Sequence, residues 1–490
     1  MPLRAVRIPA GPGQGGAPRH ADALAARFDA VRTDLEVPQE FPHEALAEAE
    51  RVADSPLALP VRDATDIPFL TLDPVGSMDL DQALHLSRVE DGYRVRYAIA
   101  HLPSFVAPDG AIARAAWDRG ATVYAPDRRT PLHPTRLSEG AASLLPGVPR
   151  AAYVWEHRLD GEGQVVSTDL YPAMIISRDR MDYAEVQQDI DAGTGDERLQ
   201  LLREIGQLRI VAEAERGGAS LPMPEQEAYA GKDGAYRLRF RPPAACEEWN
   251  AQLSLMTGMA AAQLMIAAGT GILRTMPPAS PEALARFQLE CRALGVGWPE
   301  EERYGDFLRR LDRTDPAQLA LIHNATSLFR GAGYVAFSSG APADRDHAAV
   351  AAPYAHVTAP LRRLVDRFGL AVCAAVAAGE DVPDWAGQAL EALPAVMAGA
   401  DRRSGTVERE CTNAVEAAVL ADRIGAQFPV VVVERTKRGA TVQVTDPAVL
   451  AKAEGPGEVG TDAIGTVTAA DIATSTTLFQ LSPAVSSPTG

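Results

Sequence analysis

The spacing of apolar and polar residues divides the chain into helical and strand-like regions. Apolar residues recur at helical spacing in residues 21–33 and 42–53, which predicts two helices. Strand-like runs begin at Ile67, helical spacing dominates from about residue 196 to 425, and residues 428–483 return to short strands. The pattern therefore predicts a mixed α and β protein that ends in a small closed barrel.

One stretch of the helical region, residues 251–273, carries no charged side chain. Its length is enough to cross a bilayer. Polar residues such as Gln252, Ser254 and Gln263 interrupt it, so we expect a buried helix of a large domain and no membrane partner.

The cysteines and the first residues favour a cytoplasmic protein. The four cysteines form no C-x-x-C pair, which argues against a disulfide framework and a zinc ribbon. The first residues are rich in Gly and Pro and lack the apolar segment of a signal peptide.

The charge balance excludes a protein that coats nucleic acid over its whole surface. The chain has 47 basic and 65 acidic residues, a net charge of −18. The balance is uneven, because residues 114–150 carry six Arg against three acids and residues 356–367 carry three Arg against one. A local basic channel for nucleic acid is therefore compatible with the sequence.

The strongest chemical signal is a group of carboxylates after a strand. An apolar run ends at Asp73, a Gly- and Ser-containing loop follows, and Asp79 and Asp81 stand two residues apart. In an extended chain these last two side chains share one side. Three converging carboxylates suit a hard cation such as Mg²⁺. A solvated acidic loop explains the spacing equally well, and a phosphotransferase loop with Asp79 as the nucleophile is a weaker alternative.

This pattern and several later motifs resemble the ribonuclease II family, whose RNB domain degrades RNA from the 3′ end. The family's carboxylate signature resembles Asp73, Asp79 and Asp81, and its nucleotide-clamping Tyr resembles Tyr124 before Pro126. The most specific similarity is a downstream block at identical spacing, which reads here as His347, Tyr354 and Thr358-Ala-Pro-Leu-Arg362. Weaker similarities are Tyr183 and Glu408-Arg-Glu410, and the final strands resemble the family's OB-fold barrel.

The resemblance implies a role for each matching residue. It implies that Asp73, Asp79, Asp81 and Gln82 hold Mg²⁺, with Asp81 the most sensitive and Asp79 also catalytic. It implies that Arg362 and the adjacent Arg363 clamp the phosphate oxygens. Tyr124 would stack on the terminal base. The remaining expected RNA-binding residues are Tyr183, His347, Tyr354 and Glu408.

The expected function is therefore 3′–5′ hydrolysis of single-stranded RNA to 5′-mononucleotides by a cytoplasmic, monomeric, Mg²⁺-dependent exoribonuclease. Two alternatives stay open at this point. One is a member of the same fold that binds RNA with weakened catalysis. The other is a Mg²⁺-dependent phosphohydrolase of small substrates.

The sequence also departs from the family pattern. Gln82 stands where the family has a fourth acid, His101 replaces an Asp, Ala359 replaces a Ser and Leu364 replaces a Tyr. The 72 residues before Asp73 are too few for the family's two cold-shock barrels, so a short form without them is expected.

These observations together predict an α+β fold in three parts. Residues 1–61 would form a Gly/Pro-rich tail and a helical N-terminal region. Residues 62–425 would form a large RNB-type catalytic domain, with a mixed β-sheet surrounded by helices. Residues 426–490 would form the C-terminal OB-fold barrel.

Overall fold

A computed structural model describes residues 20–483, except 222, 224, 231–235, 300 and 438. The Gly/Pro-rich tail predicted at the start lies outside the described residues. The α-helices, in chain order, are α1 Ala21–Asp34, α2 His43–Asp54, α3 Ala111–Arg119, α4 Tyr183–Ala192, α5 Glu197–Arg216, α6 Ala245–Ala268, α7 Pro281–Ala293, α8 Tyr304–Arg309, α9 Pro316–Ala325, α10 Leu364–Ala378, α11 Asp384–Ala389 and α12 Leu393–Leu420.

The β-strands alternate with these helices and confirm the mixed character of the fold. They are β1 Asp63–Asp73, β2 Gln82–Val89, β3 Gly92–Ala100, β4 Val123–Tyr124, β5 Arg129–Thr130, β6 Pro149–Asp160, β7 Val165–Asp182, β8 Glu225–Ala230, β9 Tyr236–Arg241, β10 Gly271–Thr275, β11 Gly333–Phe337, β12 Asp346–His347, β13 Ala352–Pro353, β14 Gln427–Thr436, β15 Gly439–Val444, β16 Val449–Glu454, β17 Asp462–Asp471 and β18 Thr476–Pro483.

The mixed sheet of the first half closes into a barrel in the order β1-β2-β3-β6-β7. Closure comes from β1, which pairs antiparallel with β2 and parallel with β7. The register places Asp73 opposite Asp182 and Gln82 opposite Ile99. The loop from Asp73 to Gln82 is therefore anchored by two barrel strands at the same end.

Helices α5, α6 and α10 pack together beside this barrel. Helix α6 is long and apolar enough to cross a membrane by length and composition alone. In this fold it contributes Leu253, Met256 and Met265 to the core that also contains Trp155 of the barrel. The predicted helix over 251–273 is too long at its C-terminal end. Gly269, at φ +72°, ends α6, and the chain continues into β10.

The C-terminal strands form the predicted closed barrel, in the order β14-β15-β16-β18-β17. Its core is shared with distant parts of the chain. Val432 and Phe479 of the barrel lie in one apolar cluster with Phe28 of α1, Val415 of α12 and Val123 of β4. The two N-terminal helices, which agree with the predicted 21–33 and 42–53, are thus packed into the body of the fold.

Candidate active site

Asp81 is the most buried of the three predicted carboxylates, with 3% of the residue exposed. Its Oδ1 accepts a hydrogen bond from the Leu361 backbone N–H at 2.7 Å, and its Oδ2 accepts one from Arg362 Nε at 3.0 Å. Burial raises the pKa of Asp81 to about 7, although Arg362 and the Leu361 N–H both oppose the rise. Leu80 is fully buried, and its N–H donates to Ser143, which fixes the backbone just before Asp81.

The segment that carries Arg362 is fixed by a second buried carboxylate, Asp366. Asp366 accepts hydrogen bonds from the Ala359 N–H at 2.6 Å and from Arg363 Nη2 at 2.9 Å. The Arg362 side chain remains 44% exposed, so part of it is open to solvent while Nε is bound to Asp81. We call Asp81, Asp366 and residues 358–363 the floor of the site.

Asp79 lies in a more open position and contacts a short hairpin. Strands β4 and β5 place Tyr124 opposite Arg129. Arg129 Nη1 lies 2.5 Å from Asp79 Oδ1, and its Nη2 lies 2.8 Å from Glu139. The Tyr124 hydroxyl donates to Asp79 at 3.4 Å, and 47% of this residue is exposed. We call Asp79, Tyr124, Arg129 and Glu139 the rim.

Gln82 connects the barrel to the floor. Its Nε2 donates to the Thr358 carbonyl at 2.6 Å, and its Oε1 accepts from the Tyr97 hydroxyl at 2.5 Å. Both polar ends of the side chain are engaged within the protein. This arrangement does not fit the predicted role of Gln82 as a metal ligand and instead makes it a bridge between β2, β3 and the floor.

The predicted metal site is not assembled in this arrangement. Within the described part of the chain, no three His, Cys, Asp or Glu side chains are placed to hold an ion. The expectation of bare carboxylates is wrong, because Asp79 is paired with Arg129 and Asp81 with Arg362. The spacing of the three aspartates could not reveal these arginine partners, because both arginines lie far away in the sequence.

Tyr183 begins α4 immediately after Asp182, whose carboxylate caps that helix. Its hydroxyl accepts a hydrogen bond from Asn250 at 3.1 Å. Burial raises the pKa of Tyr183 to about 12; the Asn250 amide opposes the rise, and the negative charge of Asp73 adds to it. Tyr183 therefore lies on the Asp73 side of the site.

Tyr354 is buried, which disagrees with its predicted contact with RNA. Its ring lies against Gly258 of α6, where an added Cβ would come within 2.2 Å of the ring. His347 packs edge-on against this ring, with 5.9 Å between the ring centroids. Both residues thus pack together, and Tyr354 anchors the chain a few residues before the floor segment begins.

Glu408 lies in the middle of α12, the helix that packs against β4 of the hairpin. Its neighbour Glu410 binds Arg27 of α1. Glu408 thus lies on a helix that contacts the hairpin, and its predicted role in RNA binding stays a prediction.

Sequence reasoning missed Arg129 and Asp366. Arg129 belongs to the segment 114–150, whose excess of Arg was visible, and Asp366 is the only acid in residues 356–367. A lone carboxylate within an Arg-rich block was the available signal for Asp366.

Comparison with family models assigns most of the chain. The model of the RNB domain matches residues 61–370, and the model of the RNase II-type exonuclease C-terminal S1 domain matches residues 426–482.

Curated relatives include ribonuclease R proteins. Ribonuclease R 1 of Lactococcus lactis is 23% identical over 445 residues, which cover 84% of this chain and 53% of that protein. Ribonuclease R of Escherichia coli is 26% identical over 322 residues, which cover 62% of this chain and 39% of that protein. The chain thus spans about half the length of these relatives or less.

Solved structures share the fold at low sequence identity. Mycoplasma genitalium RNase R in complex with ribose-methylated single-stranded RNA has a TM-score of 0.85 at 18% identity, covering 94% of this chain and 78% of that one. Yeast Ssd1, described as a pseudonuclease, has a TM-score of 0.66 at 14% identity, covering 90% of this chain and 57% of that one.

Proposed function

The chain belongs to the RNB-domain family, and from this we propose that it is an exoribonuclease that hydrolyses single-stranded RNA from the 3′ end to 5′-mononucleotides. The observation that carries the proposal is the floor. There, a buried carboxylate, Asp81, holds the partly exposed guanidinium of Arg362 in place. A preorganised guanidinium suits the charge that builds on a phosphate during cleavage.

The proposed roles follow from the contacts of each residue. Arg362, with Arg363 beside it, binds the phosphate oxygens, and Asp81 orients Arg362. Gln82 holds Thr358 and thereby the backbone of the floor. Tyr124 presents an exposed ring for the terminal base, since aromatic stacking tolerates any base.

Dependence on Mg²⁺ is a further part of the proposal. It is supported by the all-oxygen character of Asp73, Asp79 and Asp81, because carboxylate oxygens are the ligands that Mg²⁺ prefers. The present pairing of Asp79 and Asp81 with arginines does not fit an ion at those atoms. We therefore assign the ion no catalytic step.

We also propose that the protein acts as a cytoplasmic monomer without a membrane partner, with the division at residues 61 and 425 given above. All four cysteines are free and buried, which suits a reducing compartment.

A second candidate is a member of the fold that binds RNA without cutting it. Two observations favour it: Gln82 stands where the family has an acid, and Asp79 is paired with Arg129. Nothing comparable favours the third candidate, a phosphohydrolase of small substrates.

The test uses 5′-labelled oligo(A) with Mg²⁺ and compares the wild type with Asp81→Asn. Asp179→Asn, which removes a charge from the partly exposed pair with Arg198, is the matched control. Stepwise shortening by the wild type and the control, lost in Asp81→Asn, supports the exonuclease. Binding without shortening supports the second candidate, and activity on a small phosphate ester without RNA binding contradicts both.

A further inference from the structure

The hairpin that carries Tyr124 is held at its tip by helix α1. We define the Tyr124 hairpin as residues 123–130. Arg32 of α1 reaches its turn with both terminal nitrogens, Nη1 to Asp127 Oδ1 at 2.9 Å and Nη2 to Asp127 Oδ2 at 2.7 Å. Arg32 is only 1% exposed, so this bidentate pair is largely removed from water on the Arg side.

A second contact ties the same tip to the N-terminal helical region. Arg128 Nη2 lies 3.0 Å from Asp29 of α1 and 2.6 Å from Gln39 after it. Asp29 also accepts from Arg32 at 2.8 Å, so one carboxylate joins both arginines. Two consecutive residues of the turn are therefore bound by residues 29–39.

At its base the hairpin is anchored by Val123, which packs in the apolar cluster shared with α1, α12 and the C-terminal barrel. Its strands have two residues each, and a two-stranded ribbon of this kind is unstable without tertiary packing. Its base contacts the active site, through Tyr124 and Arg129 on Asp79. Its tip contacts α1. The orientation of the Tyr124 ring thus depends on both ends.

We propose that Arg32 is a positioning residue that strengthens RNA binding at the active site by holding the Tyr124 hairpin in place. A bidentate guanidinium–carboxylate pair fixes direction as well as distance, which a single bond does not. The proposal rests on the proposed function, in which Tyr124 stacks on RNA. It gives the N-terminal helices a role at the site through the hairpin, in addition to the apolar cluster that Ala49 and Val52 of α2 share with Leu361 of the floor.

The other face of α1 supplies a matched control. Arg27 lies on the same helix and also makes partly buried bonds, to Ser475 at 2.8 Å and Glu410 at 3.1 Å. These bonds join α1 to the C-terminal barrel and α12, not to the hairpin. Arg27→Gln therefore tests general loosening of α1, whereas Arg32→Met and Asp127→Asn test the hairpin contact.

The first measurement is hydrogen exchange of the hairpin peptide without RNA, which does not depend on any activity. We expect faster exchange in Arg32→Met and in Asp127→Asn, and exchange as in the wild type for Arg27→Gln. Asp127 lies at the turn and is partly exposed, so Asp127→Asn keeps the test valid if Arg32→Met fails to fold. Unchanged exchange in Asp127→Asn, or equal loss of protection in Arg27→Gln, overturns the proposal.

The second measurement is the split between KM and kcat on oligo(A). We expect KM to rise about tenfold in either hairpin variant, the scale of a weakened base stack, with kcat within about twofold. The double variant Arg32→Met/Asp127→Asn should be no worse than the worse single one, because both remove one contact. A tenfold fall in kcat with unchanged KM contradicts the positioning role. If the wild type does not shorten RNA, the proposed function fails, and the role of Arg32 in RNA binding is overturned with it. Faster hairpin exchange in the variants would then still support the structural contact between α1 and the hairpin.

Discussion

Asp81 and Asp79 stand two residues apart and both pair with an arginine, but their surroundings differ. The Asp81 carboxylate is closed in by the backbone of the floor, whereas the Asp79 pair stands at the rim beside an exposed Tyr124. A buried carboxylate that loses its partner is left with an uncompensated charge, while a more exposed pair can exchange partners with little change in free energy. The floor is therefore built to keep one geometry, whereas the contacts of the rim can be exchanged at a smaller cost in free energy.

The largest contrast is expected from the same substitution in the two regions. Asp81→Asn removes the charge that holds Arg362 and should lower kcat about 10³-fold, the scale of a lost electrostatic contact to the reacting phosphate. Asp79→Asn should lower kcat by a clearly smaller factor. Single-turnover cleavage of oligo(A) measures both, and equal losses would remove the distinction between floor and rim.

The next effect concerns the exposed ring of the rim. Tyr124→Ala should raise KM by the equivalent of about 2 kcal/mol, because one base loses its stacking partner, with little change in kcat. Tyr124→Phe keeps the ring and loses only the long bond to Asp79. Steady-state kinetics of the two variants compare them, and an equal defect in Tyr124→Phe would show that the hydroxyl, not stacking, matters.

A fall in pH should lower the free energy of unfolding through a buried histidine next to the floor. His133 Nε2 donates to the Pro360 carbonyl of the floor, and burial lowers the pKa of His133 to about 3. This folded-state pKa lies below the unfolded value of about 6.5, so the stability it contributes is present above pH 6.5 and is lost as the pH falls below it. We expect this residue to add about 1 kcal/mol per pH unit to the loss near pH 5.

Urea unfolding between pH 7 and pH 4.5 checks this expectation in the wild type and His133→Gln. The variant should be less stable at pH 7 and should lose stability more slowly on acidification. Parallel curves would mean that His133 does not titrate with folding.

The smallest expected effect tests whether the Arg129–Asp79 pair of the rim competes with Mg²⁺. Arg129→Gln removes the cation next to Asp79, so the Mg²⁺ concentration for half-maximal activity should fall about threefold, the scale of a partly exposed ion pair. Arg128→Gln, on the same hairpin but directed at Asp29, is the comparison. No shift in Arg129→Gln relative to Arg128→Gln would show that this pair does not compete with the ion.

The sequence was informative where chemistry is local. The spacing of Asp73, Asp79 and Asp81 and the block ending at Arg362 located the loop and the segment that meet in the floor. The partners were hidden, because Asp79 meets Arg129 fifty residues later and Asp81 meets Arg362 across most of the catalytic region. Tyr354 shows the converse limit, since the motif that predicts a contact with RNA gives no sign that the ring is packed on Gly258.

Secondary structure shows the same limit. The strand β16, Val449–Glu454, has a weak local signal, because its Ala, Lys and Glu residues have low strand propensity. Its place is set by pairing with β15 and β18 in the closed barrel, which no local pattern reports.

The apolar cluster that joins Phe28, Val123 and Phe479 has a consequence for synthesis. Residues from the first and last parts of the chain must meet before this cluster is complete, and such distant contacts form late in folding. A nascent chain that still lacks β18 already contains every residue of the floor and rim. Because Val123 of the hairpin packs in the unfinished cluster, the proposed RNA-degrading activity is expected to appear only after β18 has been synthesised and has folded.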